Sequence, residues 1–145
     1  MKILLAVDDS KSSESAVRDV IERIQREGSE VLVFHAVPPV AVSAPPQMSP
    51  GYAPELEEAA KQGRALVDSI AQTLRHAGWK AETAVVSGDI REAIVDRAAA
   101  WNADLIVLGT HGRRGASRFL LGSVAESVAR HAPCSVKIVR DRPRR

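Results

Sequence analysis

The chain has 145 residues, of which 45% are hydrophobic and 26% charged, a composition typical of one soluble globular domain spanning residues 1–145. Aromatic residues make up 3%, which requires an aliphatic core and disfavours a base-stacking surface. No apolar run is long enough to span a membrane, the N-terminus turns acidic too early for a secretory signal, and the lone Cys134 excludes an intrachain disulfide. We therefore expect a cytoplasmic protein without a membrane partner.

Charge is distributed unevenly along the chain. From His111 to the C-terminus there are nine Lys or Arg residues and two acids, whereas the preceding part holds eleven basic and sixteen acidic residues. A basic C-terminal quarter favours an anionic partner. Because no nucleic-acid module or interleaved aromatics accompany it, the sequence argues against nucleic acid and favours a phosphorylated small molecule.

Buried strands and helices alternate from the N-terminus. The continuous apolar run Ile3–Val7 predicts a strand buried on both faces, and Val31–Val37 predicts a second one. Between them a helix ends at Gly28; its core positions are Ala16, Val17, Val20, Ile21 and Ile24. Six of the eight prolines then lie between Pro38 and Pro54, so we expect a long loop 38–54 there, either a functional lid or a disordered segment.

The second part of the chain continues this alternation. Its predicted elements are a helix at about Pro54–Ala77, a strand at Ala81–Val86, a helix opened by Ser87-Gly88-Asp89, a strand at Asp104–Leu108, a helix at Ser123–His131 and a strand at Cys134–Val139. The basic tail 140–145 is expected to fray. Alternating strands and helices imply a parallel sheet covered on both faces, with ligands bound beyond the carboxyl ends of its strands.

A loop rich in glycine and arginine follows the strand Asp104–Leu108. It extends from Gly109 to Ser123 and contains four glycines and three arginines. Glycine allows several backbone N–H groups to converge on one anion, and Gly122-Ser123 opens a helix whose free N–H groups and dipole favour a phosphate. The pattern is neither the dinucleotide-binding fingerprint nor the Walker A motif. These residues alone also fit a surface turn with exposed arginines.

Two polar residues at the predicted binding edge have alternative structural roles. Asp8 ends the first strand, where we expect it to contact the ligand, although it could instead cap the following turn. Ser123-x-x-Glu126 predicts a capping box. His111 has no nucleophile or paired base nearby, so no catalytic residue is predicted, and His35 is expected to be packed rather than functional.

Several segments resemble the universal stress protein family. The spacing Gly109-x-x-Gly112, nine residues, then Gly122-Ser123 matches the nucleotide-binding motif of that family, and Ala6–Ser10, Ala103–Gly112 and Ala132–Val136 look like the same family. The resemblance implies a single-domain α/β fold, a five-stranded parallel sheet of order 3-2-1-4-5 with helices on both faces (adenine nucleotide alpha hydrolase-like). It also implies a homodimer, often formed through the last strand, here about Ser135–Val139. Because the glycine motif is kept, the chain resembles the ATP-binding branch.

The same resemblance implies where an adenine nucleotide (ATP, or AMP or ADP) would lie. The base would be recognised mainly by backbone groups around Val7 and Ala36, and Mg²⁺ or Mn²⁺ would bridge the phosphates without an evident cluster of protein ligands. The implied contacts are Ala6, Val7, Asp8 and Ala36 for the adenosine, and Leu108, Gly109, Gly112, Arg113, Gly122, Ser123 and Val124 for the ribose and phosphates.

Three functions fit this pattern. The resemblance implies a nucleotide-dependent regulatory module that helps cells withstand stress. An enzyme is the first alternative, either a slow ATPase or a protein that phosphorylates itself on Ser117 or Ser123, with arginines stabilising the developing charge. The second alternative is a nucleotide-independent adaptor whose edge strand and proline-rich loop bind other proteins.

Overall fold

The computed structural model describes residues 1–38, 54–111 and 121–141. Residues 39–53 of the predicted loop, the tail residues 142–145, and Gly112 and Arg113 of the predicted site lie outside the described residues. Five strands and four helices alternate within the described ranges. In chain order they are β1 (Lys2–Ala6), α1 (Lys11–Arg23), β2 (Glu30–Val37), α2 (Pro54–His76), β3 (Lys80–Ser87), α3 (Ile90–Trp101), β4 (Leu105–Gly109), α4 (Ser123–His131) and β5 (Ser135–Val139).

The strands form one parallel sheet of order β3-β2-β1-β4-β5. This confirms the predicted fold class and strand order. The chain winds outward from β1 through β2 to β3 and then returns to place β4 on the other side of β1. The winding direction therefore reverses between β1 and β4, which is where ligands bind in sheets of this kind.

Helices cover both faces of the sheet, because alternate residues of each buried strand point to opposite faces. Ile3, Leu5 and Val7 face the α1 and α2 side, whereas Leu4 and Ala6 face the α3 and α4 side. Burying an aliphatic side chain of this size stabilises the fold by about 1.5–3 kcal/mol. The continuous apolar strands of the sequence are thus explained by burial on both faces.

Side chains and backbone conformations mark the helix ends. Ser10 caps α1, since its Oγ accepts a hydrogen bond from the Ser13 N–H at 3.2 Å. Asp89 caps α3 by accepting from the N–H groups of Arg91 and Glu92. After α3, Asn102 adopts the left-handed conformation, with φ 57° and ψ 46°. The Ser10 cap therefore begins α1 only a few residues after β1 ends at Ala6.

The start of α4 differs from the expectation. Gly122 is the N-cap and makes no side-chain cap bond, and Ser123 is the first helical residue. The Glu126 carboxylate accepts from Arg130 Nη2 at 2.9 Å, one turn further along the helix. The predicted capping box is therefore wrong, because a backbone contact at Gly122 sets the helix start and Glu126 pairs along the helix.

Candidate functional site

The tips of β1 and β4 lie side by side at the point where the winding direction reverses. Leu5 is opposite Val107 in the parallel register, so Ala6, the last residue of β1, lies level with Leu108, one residue before β4 ends at Gly109. Among the predicted contacts, Ala6, Val7, Ala36 and Leu108 have buried side chains that belong to the core. A ligand at this edge would therefore meet these four residues through their backbone atoms.

Asp8 follows β1 and is half-buried. Its Oδ1 accepts from the Ser10 N–H at 2.8 Å and from Ser13 Oγ at 2.9 Å, while its own N–H donates to Ser13 Oγ at 2.8 Å. Both hydrogen bonds from the described residues go to Oδ1, and none goes to Oδ2. The turn-capping role considered for Asp8 is thus present, and Oδ2 is the atom through which the predicted ligand contact would be made.

The tip of β1 is also bonded to β2. The Val7 N–H donates to the Phe34 carbonyl at 2.9 Å, and the Val7 carbonyl oxygen lies 2.8 Å from His35 Nδ1. His35 is half-buried, so the expected packing is joined by a polar contact that the sequence did not predict. Both backbone groups of Val7 therefore have partners within the protein, which leaves Ala36 as the neighbouring residue for base recognition.

Gly109 ends β4 where the backbone meets the first turn of α1. A Cβ added at Gly109 would lie 2.5 Å from Ser12 Cβ and 2.6 Å from the Ser12 carbonyl carbon. Gly109 is not among the glycines with positive φ, which are Gly28, Gly78 and Gly88. Glycine is required at 109 because the protein's own helix approaches the strand there, and not because of a left-handed conformation.

Thr110 joins three parts of the site and was missed by the sequence reasoning. Its N–H and Oγ1 both donate to the Val139 carbonyl, at 3.0 and 2.8 Å, and its carbonyl accepts from the Gly122 N–H at 2.9 Å. A Cβ at Gly122 would lie 2.5 Å from the Thr110 oxygen. Thr110 is only 5% exposed, so these bonds fix the start of α4 against the carboxyl ends of β4 and β5.

The N-terminus of α4 is thereby held at the binding edge. Ser123 is exposed, and Val124 packs against the α3 and α4 side of the core. The first intrahelical bond of α4 runs from the Glu126 N–H to the Gly122 carbonyl. The N–H groups before Glu126 lie in the turn where a helix has no internal acceptors and where its dipole favours an anion. A backbone donor set suited to phosphate is therefore present at Ser123 and Val124.

Metal and thiol chemistry have less support. Within residues 1–38, 54–111 and 121–141, no group of three or more His, Cys, Asp or Glu side chains could hold a metal ion. In the same ranges no helix is both long and apolar enough to cross a bilayer.

Burial, and secondarily the nearby charge of Asp104, raises the pKa of the half-buried Cys134 thiol, although a hydrogen bond from the Ile106 backbone lowers it. A raised pKa disfavours the reactive thiolate.

Comparison with known proteins agrees with this architecture. A model of the universal stress protein family matches residues 1–140. Universal stress protein Sll1388 of Synechocystis sp. is 33% identical, with 95% of this chain and 96% of the relative covered. A solved universal stress protein in complex with cAMP is 25% identical with a TM-score of 0.74, covering 98% of each chain. An Arabidopsis thaliana family member with AMP bound has a TM-score of 0.74 at 18% identity, covering 98% of this chain and 92% of that chain.

The strand order and the reversal of winding between β1 and β4 define an adenine nucleotide alpha hydrolase-like domain. The family match over nearly the whole chain is more specific. This chain belongs to the universal stress protein family.

Proposed function

We propose that this chain is an ATP-binding universal stress protein, a nucleotide-dependent regulatory module of the cytoplasm that supports survival under stress. The observation that carries the proposal is the hydrogen bond from the Gly122 N–H to the Thr110 carbonyl, at 2.9 Å. It holds the donor-rich end of α4 beside the tips of β1 and β4. Two structural neighbours of the same fold have AMP or cAMP bound, which supports an adenine nucleotide as the ligand class.

The adenosine would occupy the side of the edge formed by β1 and β2. Ala36 would recognise the base through its backbone, and Asp8 Oδ2 would accept from a ribose hydroxyl. Ala6 and Val7 would line this part of the site with their backbone atoms. All of these residues lie at or just beyond the carboxyl ends of two adjacent parallel strands, which supports their contact with one nucleoside.

The phosphates would lie at the start of α4. The N–H groups of Ser123 and Val124 provide fixed donors, and the aligned helix dipole adds partial positive charge. Leu108, Gly109 and Gly122 would meet the ribose and phosphates through their backbone, while Gly112 and Arg113 remain predictions outside the described residues. Mg²⁺ or Mn²⁺ bound with ATP would be held by phosphate oxygens and water, since the described side chains form no ligand cluster.

The homodimer would use β5. This strand lies at one edge of the sheet and pairs with β4 on one side only. Its residues Val136, Ile138 and Val139 are half-buried in the single chain. An edge strand with apolar side chains is a template for pairing with a second copy, which would extend the sheet across the dimer.

A charge introduced at the start of α4 tests the proposal. Ser123→Asp adds a carboxylate to an exposed first-turn position. Its favourable interaction with the helix dipole should stabilise the fold by about 0.3–1 kcal/mol. The same carboxylate would repel the phosphates. A charge about 5 Å away in high dielectric costs about 0.8 kcal/mol per phosphate charge, so roughly 10–30-fold weaker ATP binding is expected for a net charge near −2. Stability and affinity should therefore change in opposite directions.

The assay is equilibrium titration with labelled ATP, and the wild type is expected to saturate near one ATP per chain. Ser69→Asp is the matched control, because it makes the same change on the exposed surface of α2. Its ATP affinity should equal that of the wild type. Equal affinity of the Ser123→Asp variant, or no binding by the wild type, would contradict the proposed site. Recovery of intact ATP after hours with Mg²⁺ separates binding from slow hydrolysis.

A further inference from the structure

His35 makes a hydrogen bond that strand pairing does not require. Its Nδ1 lies 2.8 Å from the carbonyl oxygen of Val7, the residue that follows β1. A backbone carbonyl can only accept, so Nδ1 must carry the proton in this contact. The bond therefore fixes the ring as a donor to the tip of the neighbouring strand.

The pairing of β1 with β2 ends at this point. The last backbone bond is the one from the Val7 N–H to the Phe34 carbonyl, at 2.9 Å. Continued parallel pairing would next join the Ala36 N–H to the Val7 carbonyl. The chain instead turns after Val7, where the Asp8 N–H donates to Ser13 Oγ at 2.8 Å. Val7 is 3% exposed, and His35 supplies the donor that its buried carbonyl would otherwise lack.

The backbone groups of Ala36 point to the β1 side of β2. The Phe34 carbonyl accepts from β1, and the Val37 carbonyl accepts from the Gly88 N–H beyond β3, at 3.0 Å. Because successive residues of a strand direct their backbone groups to alternate sides, Ala36 shares the direction of Phe34. Neither its N–H nor its carbonyl is bonded to a described residue, although Ala36 is 2% exposed. A buried donor and acceptor on one residue are thus left for a ligand.

The imidazole ring of His35 packs against α2 at a position where the helix has no side chain. Gly63 is buried within this helix, and a Cβ there would lie 2.8 Å from His35 Cδ2 and 3.3 Å from Val85 Cγ1. Glycine weakens a helix interior relative to alanine. Apart from proline, glycine has the lowest helix propensity, and in α2 it stands at position 63, where a side chain would collide with the His35 ring.

We propose that His35 is a positioning residue for base selectivity, which occupies the Val7 carbonyl and so reserves the backbone of Ala36 for adenine. The inference rests on the proposed nucleotide binding. The Ala36 N–H matches the N1 acceptor of adenine, and its carbonyl matches the N6 amino donor. Hypoxanthine presents an N1–H donor and an O6 acceptor, which is the reverse pattern. A site with fixed groups of this kind rejects the mismatched base.

Two substitutions of His35 separate hydrogen bonding from packing. His35→Asn keeps an N–H donor near the place of Nδ1, whereas His35→Leu keeps the branched shape with a methyl group there. ATP and inosine triphosphate are titrated against each variant, with tripolyphosphate as a probe of the phosphate end alone. We expect the Leu variant to lose at least about 10-fold in ATP affinity and most of its ATP preference. The Asn variant should stay within about 3-fold of the wild type, and tripolyphosphate should bind all three proteins equally.

The outcomes distinguish the two levels of the proposal. A Leu variant with wild-type selectivity, or an Asn variant impaired as strongly as the Leu variant, overturns the role of His35 alone. A wild type that does not bind ATP overturns the proposed function together with it. Long-range ¹H–¹⁵N spectra of the wild type provide a measurement that requires no variant to fold. They should show the Nδ1–H tautomer of His35, and the Nε2–H tautomer would overturn the inference.

Discussion

Replacing Gly109 with alanine is expected to destabilise the fold more than the same replacement of a glycine that has open space around an added Cβ. The new Cβ would lie 2.5 Å from Ser12 Cβ and 2.6 Å from both the carbonyl carbon and oxygen of Ser12. Carbon atoms in contact are normally about 3.5–4.0 Å apart, so the first turn of α1 must move by about 1 Å. Two of the three contacts are with backbone, which cannot rotate away. Overpacking of this kind costs about 1–3 kcal/mol, and we expect the upper end.

The matched control is Gly28→Ala. Gly28 has φ +73° and no atom within 4 Å of an added Cβ, so alanine there bears only the cost of a left-handed backbone, about 1–2 kcal/mol. Urea unfolding followed by circular dichroism measures the free energy of unfolding of both variants. For a chain of this size a loss of about 3 kcal/mol lowers Tm by roughly 6–12 °C. A Gly109→Ala variant that is as stable as the Gly28→Ala variant would refute the steric reasoning.

Two further predictions concern the β4 end and the cysteine. Thr110→Val removes the Oγ1 bond to the Val139 carbonyl, and it should lower the free energy of unfolding by about 1 kcal/mol and speed hydrogen exchange at the end of β5; unchanged exchange would contradict this. Cys134 should react with iodoacetamide more slowly in the native protein than in urea at pH 8.5, because burial raises its pKa. The stability that the native state gains by keeping the Cys134 thiol neutral is fully present below the unfolded pKa of 9.0. It is lost as the pH rises through the higher folded pKa. Cys134→Ser should remove that part of the alkaline decline.

The steric role of the glycines affects how the site is tested. A larger residue at Gly109 or Gly122 meets backbone atoms of Ser12 or Thr110 at 2.5–2.6 Å. Loss of nucleotide binding in such a variant would therefore not separate a missing ligand contact from a displaced helix. Ser123 is the better position because its side chain is exposed and its substitution leaves these contacts intact.

The fold was predictable because strands that are buried on both faces of a sheet have continuous apolar sequences, which can be recognised without a structure. Ile3–Val7 and Leu105–Leu108 are such runs, and they overlap β1 and β4, two neighbouring inner strands of the sheet. The helix at Ser123–His131 has the predicted bounds, while the predicted capping box at its start is wrong. Sequence pattern identifies which residues form an element, but the tertiary contact at Gly122 determines how the helix begins.

The candidate site was predictable only in part. Strand ends and the glycine spacing indicated Asp8, Gly109 and Gly122, which the structure brings to one edge. The roles of Thr110 and His35 depend on partners distant in the chain: Val139 and Gly122 lie 29 and 12 positions from Thr110, and Val7 lies 28 positions from His35. No local periodicity or propensity encodes such hydrogen bonds. A polar residue directly after a buried strand, and a glycine inside α2, were the signals available for them.

The bond between the Gly122 N–H and the Thr110 carbonyl joins the two ends of the segment 111–121 through main-chain atoms. The bond itself uses only the main-chain groups of Thr110 and Gly122. Doubling the length of such a segment adds only about 0.6 kcal/mol of closure entropy. A longer connection between Thr110 and Gly122 should therefore cost little closure entropy and leave the end of β4 and the start of α4 joined through the same backbone bond.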